Sequence, residues 1–498
     1  MILIVRPLIS PPTEKAKVRL WVGLFGIANP AQPTFFLGKT SRPPPQTPAT
    51  PADGEQLYPI RDNVVDGHEK PLNHQGVFTF DSLGSGINHC FRVVVGGEDQ
   101  CFEFTSLPDK VPLSGAPLNI LLSSCYYRPN DKNKILGDTI SRLPQPCRPD
   151  LSLLAGDQVY LDVPVVGSWR FSLESIQTMI GQKYFENWCS QSLNLAGLQT
   201  VLARTPTACI PDDHEFWNNY PLRQAQLLPE WLIDKDGWSD VAMRLYQDFQ
   251  LGGRTPNVRD MPGFQRIDVD PLSILMLDTR SRRDDEFERL MPDDAVTAIE
   301  AWASELIAAK ATPSPKVGIL SAGQPLFTDP PGFIGQRVVD GDLANYTQFS
   351  VIEEQLERVV SQGIPVVFLT GDVHWSRVCA ARYGSFPTPM LYEVICSPST
   401  MIPPSPGDKL VDSVRGKDWP GFPSAPMEIP RRFGQNNHFK VSRRGEDDYF
   451  ECNGNQVSVL QFRRAGFGVD MTVNYFEVST DPQRQRRKTT QAYKLRFY

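Results

Sequence analysis

Apolar and polar residues alternate in the first part of the chain. In "KVRLWVGLFG", Val18, Leu20, Val22 and Leu24 are apolar at every second position, the period of a strand with one buried face. The runs "GVFTFDSL", "HCFRVVVGG" and "QCFEFTSL" are short and bounded by Gly, Asp or Pro. "MILIVRPLISPP" reads as a first strand. This spacing predicts a small β-sandwich over residues 1–112, a support or lid without chemistry of its own.

The pattern changes at "SGAPLNILLSSCYYRPND". Leu118 to Leu122 is continuously apolar, as in a strand buried on both faces, and ends at Ser123, Ser124 and Cys125. The plan recurs. "PDLSLLAGDQVYLD" ends at Gly156-Asp157, "TPTACIPDDHEFWNN" at Asp212, "PLSILMLDTRSRRDD" at Asp278, "PKVGILSAGQ" at Ser321 and "IPVVFLTGDVHWSR" at Gly371-Asp372. Helical stretches lie between. "DDAVTAIEAWASELIAAKA" follows Pro292, and "NYTQFSVIEEQLERVVSQG" ends at Gly363, a C-cap, before Pro365. Such alternation predicts an α/β domain over residues 113–498. Residues 401–434 are Pro-rich and irregular, and the end of the chain is β again. Arg484, Arg486, Arg487 and Lys488 read as a solvated hairpin turn rather than a nucleic-acid patch.

Composition narrows the classes. With 498 residues and 40% apolar content the chain can bury a large core, and a net charge of −7 argues against an extended nucleic-acid surface. Nine scattered cysteines without a Cys-x-x-Cys pair predict reduced thiols. No apolar run has the length of a membrane span. The opening is too short in apolar residues for an export signal. The chain is expected to be cytoplasmic, or exported if a leader precedes it. A Walker A sequence, a Gly-x-Gly-x-x-Gly turn and His-Glu-x-x-His are absent. "IDKDGWSD" has the acids of a calcium loop but not its later Glu, and fits a helix-capping turn better.

The chemistry collects at strand ends, where α/β sheets bind ligands. Cys125 offers a thiolate, Asp157 a carboxylate with Tyr160 three residues on, and Asp212-Asp213-His214 two carboxylates and an imidazole. Asp372 and His374 offer one of each. Singly, these fit turn chemistry, a small core cysteine or a solvated loop. Jointly, at the same end of successive strands, they fit bound cations lying between the acids.

"GDQVY", "DDHEFWNN" and "GDVHWS", with "SSC" before and "LDTRSRR" between, resemble the alkaline phosphatase D (PhoD-like) branch of the metallophosphoesterases. The resemblance covers about residues 115–400. It implies a β-sandwich core flanked by helices and a ferric iron with calcium. Cys125 and Tyr160 would bind iron, Asp157 would bridge, and Asp213, Asp372 and His374 would complete the metal set. His214 would face the substrate as acid or transition-state partner. Arg280 would either reach a phosphate oxygen or hold a structural salt bridge. Asn218 and Asn219 are either outer ligands or loop hydrogen bonders.

The implied activity is hydrolysis of phosphate monoesters or diesters, small organic or nucleotide-like, by a metal-activated hydroxide. The alternative is a non-catalytic binding or scaffold protein that keeps the fold. In a reducing, calcium-poor cytoplasm, Mg2+, Mn2+ or Zn2+ are alternative occupants. Tyr126, Tyr127, Trp217 and Trp375 line a pocket or, more simply, belong to the core.

Overall fold

The computed structural model describes residues 1–14, 17–61, 72–81, 83–162, 173–221, 237–327, 343–400, 438–442, 445–479 and 486–498. The Pro-rich 401–434 stretch, Arg484 and residues 233–236, the first half of "IDKDGWSD", lie outside them.

Two large sheets pack face to face with helices outside both. The first, 11-stranded among the described residues, runs in order Arg487–Thr489, Gly468–Glu477, Gln456–Arg464, Leu118–Ser123, Leu151–Ala155, Thr207–Ile210, Ile2–Leu8, Val18–Phe25, Asn73–Phe80 and Tyr58–Pro59. Tyr493–Arg496 also pairs with Gly468–Glu477. The second, 8-stranded, runs Phe264–Val269, Leu272–Leu277, Val317–Ser321, Val366–Thr370, Leu391–Ile395, Ser376–Tyr383 and Phe439–Val441, with Phe450–Cys452 on Ser376–Tyr383.

The period of two explains the layering. Leu118, Ile120 and Leu122 point between the sheets, where they meet Ile274, Met276, Ile319, Val367 and Leu369. Leu121 and Leu154 point the other way, into a cluster with helices Leu173–Trp188, Leu198–Arg204 and Trp238–Leu245. On the far side Leu275, Leu277, Leu320, Val366 and Phe368 pack under helices Asp293–Lys310 and Phe349–Ser361. Each fully buried Leu or Ile contributes about 1.5–3 kcal/mol, so both faces of the central strands favour this stacking.

Helix Asp293–Lys310 buries Ala295, Ile299, Trp302, Ala303 and Leu306, one stripe at helical spacing, and begins with Asp293 and Asp294 at the positive end of its dipole. Helix Phe349–Ser361 stops before Gly363, whose φ is +70°. No helix among the described residues is long and apolar enough to cross a membrane.

The N-terminal residues form a sandwich of their own kind. A four-stranded sheet, Thr47–Ala49, Thr34–Gly38, Asn88–Val95 and Glu98–Thr105, packs its Phe35, Phe91 and Val93 on Leu20, Val22 and Phe78. The opposing strands are those of the first large sheet. Ile2–Leu8 pairs antiparallel with Val18–Phe25 and parallel with Thr207–Ile210, so hydrogen bonding is continuous from the N-terminal segment into the α/β core. Arg487 and Lys488 differ from the turn read in the sequence. They lie in an exposed edge strand paired with Asn474–Phe476.

Candidate metal centre

Leu118–Ser123, Leu151–Ala155 and Thr207–Ile210 are parallel neighbours in one sheet, as are Leu272–Leu277, Val317–Ser321 and Val366–Thr370 in the other. Their carboxyl ends therefore share a rim, and the loops leaving it are tied together. Cys125 N–H donates to the Gly156 carbonyl (3.2 Å), Tyr126 N–H to Asp157 (2.8 Å) and Ser399 N–H to Ser124 (2.9 Å). The Thr370 hydroxyl donates to the Gly323 carbonyl across two strands of the second sheet (2.9 Å).

The chain turns sharply at four of the donors. Cys125, Asp157, Asp372 and His374 all have left-handed φ, between 51° and 65°, a conformation uncommon outside Gly and Asn and concentrated at functional sites. The preceding glycines leave room for it. A Cβ on Gly156 would lie 2.5 Å from the Asp212 Cβ, and one on Gly371 2.2 Å from the Ser124 hydroxyl.

The side chains converge. Ligand atoms of Asp157, Asp213 and His214 lie within 4.8 Å of one another, and so do those of Asp212, Asp213 and Asp372. The Cys125 sulfur is 3.4 Å from Asp157 Oδ2 and 3.4 Å from the Asp372 carbonyl. The Ser397 hydroxyl donates to it (3.1 Å), while the Ser124 hydroxyl, 3.5 Å away, donates to the Cys396 carbonyl at 2.9 Å. The Tyr160 ring lies 4.2 Å from the His214 ring, and its buried hydroxyl has no hydrogen-bond partner among the described residues. His374 stands two residues past Asp372, half-buried, its N–H on the Ser397 hydroxyl (3.1 Å); its ring belongs to neither group of ligand atoms. Arg280 is buried and places its Nε 2.5 Å from Asp212 Oδ1 and its Nη1 2.9 Å from the Tyr220 carbonyl.

Two acids contribute that the sequence motifs did not single out. Asp162 Oδ1 is 2.8 Å from His214 Nδ1, and its Oδ2 accepts the Asn218 N–H at 2.9 Å. This fixes the imidazole so that Nε2 is the nitrogen left for other work. Glu215, wholly buried, accepts the N–H groups of Asp157 (2.9 Å), Gln158 (2.6 Å) and Asp212 (2.9 Å). Asp212 belongs to the carboxylate group as well as to the Arg280 pair. Asn219 serves Asp213 through its backbone, N–H to Oδ2 at 2.6 Å. Tyr126, Tyr127, Trp217 and Trp375 are all buried side chains of the interior.

Electrostatics give the fit test for a cation. Burial pushes the Asp157 carboxyl well above its ordinary range, and the neighbouring Asp213 adds to it. Burial, then Asp157 and Asp372, raises the Cys125 thiol, and burial with the same acids raises the Tyr160 phenol. Glu215 is pushed up to about 7 by burial. Burial alone would lower His214; Asp162 and Asp213 outweigh it and hold the imidazole well above its usual value. The pocket thus gathers more potential anions than Arg280 and His214 can balance. A multivalent cation among these groups favours the charged carboxylates, thiolate and phenolate and so opposes those upward shifts. Oxygen, nitrogen and sulfur donors, a buried hydroxyl without a partner among the described residues and a hydroxyl aimed at a sulfur fit such an ion.

This α/β sandwich, with helices on both faces and metal-type donors on one rim, has the fold of solved phosphatase structures. The chain is similar to the structure of PhoD over 98% of its own length and 92% of that chain, at 16% identity and a TM-score of 0.57. It is also similar to the purple acid phosphatase PPD1 from yellow lupin (Lupinus luteus) seeds, over 100% of its length and 75% of that chain, at 9% identity and a TM-score of 0.53. No family model matches the chain, and no curated protein matches it.

Proposed function

We propose that this chain is a metal-dependent phosphoesterase acting on phosphate monoesters, diesters or both, with small organic or nucleotide-like substrates. The observation that carries the reading is the convergence of Asp157, Asp213 and His214 from two separate strand ends, beside Cys125 and Asp372.

Cys125 and Tyr160 would hold a ferric iron, Asp157 would lie between it and a second cation, Ca2+ or one of Mg2+, Mn2+ and Zn2+, and Asp213, Asp372 and His374 would complete the ligand set. Such ions, when bound, acidify water and neutralise charge on phosphoryl oxygens. The residues of the chain do the rest. Asp162 orients His214 through Nδ1, so that Nε2 faces the substrate as proton donor to the leaving oxygen or as transition-state partner. Glu215 keeps the Asp157 and Asp212 loops in register through their N–H groups. Arg280 holds Asp212 in the carboxylate group and acts as a positioning residue. The scattered, unbridged cysteines favour a reducing compartment such as the cytoplasm.

The test pairs elemental analysis of protein purified without chelator with hydrolysis of p-nitrophenyl phosphate and bis-p-nitrophenyl phosphate. Asp157→Asn is expected to lose metal and hydrolysis together. Full metal content and full activity in that variant overturn the reading.

A further inference from the structure

Glu215 is the clamp between two metal loops. Its Oε2 accepts the N–H groups of Asp157 and Asp212, and its Oε1 those of Gln158 and Val159. Oε1 also takes one side-chain donor, the Gln250 amide at 3.1 Å. Gln250 is buried, in a π-helical turn, Tyr246–Leu251, that continues helix Trp238–Leu245. Such turns are rare and leave backbone carbonyls in need of partners.

The partners come from the N-terminal strands. Arg6 Nη2 donates to the carbonyls of Phe249 (2.5 Å) and Gln250 (2.8 Å). Trp21 Nε1 donates to the Asp248 carbonyl (2.8 Å). Arg6 and Trp21 face each other in the register of Ile2–Leu8 and Val18–Phe25, with the guanidinium 5.3 Å from the indole ring centre. Asp248 is held in turn by Arg61 (3.0 Å) and Gln75 (3.3 Å). A wholly buried guanidinium is costly to desolvate, and here it is spent on the two carbonyls that fix where Gln250 points.

We propose that Gln250 is a positioning residue of the metal centre, and that Arg6 acts through the π-helical turn to hold it. The N-terminal β segment thereby sets the spacing of the Asp157 and Asp212–Asp213 loops. This rests on the metal-centre reading and adds to it a part of the chain remote from the ligands. Outer partners of this kind tune affinity by orienting the groups that touch the ion.

The test uses Gln250→Met, Arg6→Met and Arg6→Lys in the full chain. Metal-free protein reports first. Amide hydrogen exchange at Asp157, Gln158 and Asp212 speeds up in Gln250→Met and Arg6→Met, while amides of Val317–Ser321 in the second sheet keep their protection. Metal affinity, measured by competition with a chelator, then falls about 10–100-fold, and Arg6→Lys recovers part of it. A merely structural role would lower protection everywhere and leave affinity of the folded fraction unchanged. If Arg6→Met does not fold, Gln250→Met decides. Unchanged exchange and affinity in Gln250→Met, with metal bound by the wild type, overturn the positioning role alone. Failure of the wild type to take up any metal overturns the proposed function instead.

Discussion

Replacing Gly156 with alanine puts the rim of the sandwich to a direct test. Gly156 has φ +93°, and an added Cβ would lie 2.5 Å from the Asp212 Cβ and 3.4 Å from the Asp212 nitrogen. A left-handed backbone at a residue with a side chain costs about 1–2 kcal/mol. Carbon atoms rest at about 3.5–4.0 Å, so one loop must retreat by roughly 1 Å, and overpacking of that order costs about 1–3 kcal/mol. Asp212 cannot yield freely, because its N–H is held by Glu215 and its carboxylate by Arg280. The sum is a loss of about 2–5 kcal/mol. Gly253→Ala is the control: nothing lies within 4 Å of its added Cβ and its φ is not left-handed, so it is neutral or slightly stabilising. Urea unfolding of the two variants side by side gives the difference, and elemental analysis reads whether the displaced loop still holds metal. Equal unfolding midpoints would refute the reasoning.

Other outcomes follow from the same geometry. Asp162→Ala should keep its metal and lose kcat by about 10²-fold or more, since the His214 ring is no longer held; steady-state kinetics with an unchanged kcat would remove His214 from the chemistry. Glu393→Gln should cost about 3–5 kcal/mol in urea unfolding by removing the charge that balances the buried Arg377 guanidinium, and a loss under 1 kcal/mol would count against it. Asp150, pushed up to about 6 by burial, favours its protonated form in the folded chain. Its contribution is therefore fully present below about pH 4 and is lost as pH rises through about 6. Asp150→Asn, which keeps an acceptor for the Asn119 N–H, should stabilise the protein by about 1–3 kcal/mol above pH 6 and not below pH 4. Denaturation midpoints at pH 4 and pH 8 that shift equally would refute it.

The strands were legible because a strand buried on both faces has few alternatives to a continuous apolar run. Leu118–Ser123, Val317–Ser321 and Val366–Thr370 stand where those runs predicted. The rim was legible because "GDQVY", "DDHE" and "GDVH" each place a donor directly after such a run. What escaped is what depends on distance in space. Asp162 lies in the quoted "GDQVYLD", yet only the 2.8 Å contact with His214 Nδ1 gives it a task. Glu215 reads as one more acid of a charged run; its bond to the Asp212 N–H is a capping box with an Asp-x-x-Glu signature, but its bonds to the Asp157 and Gln158 N–H groups depend on distance in space. Gln250, 35 residues further on, is invisible to motif spacing. Arg280, open between phosphate and salt bridge in the sequence, lies in a buried pair with Asp212. The N-terminal sandwich was read from its alternation, but parallel pairing of Leu8 with Thr207 leaves no local trace.

That pairing bears on how the protein is made. During translation Ile2–Leu8 finds Val18–Phe25 almost at once, but the Leu8 end of its other edge waits for Thr207. At typical ribosomal speeds the wait is on the order of 10–40 s. Through that interval a largely apolar strand presents open backbone donors and acceptors to any nascent neighbour. Chaperone demand during synthesis should therefore be highest before residue 210 is released from the exit tunnel, and should fall sharply once the missing strand arrives.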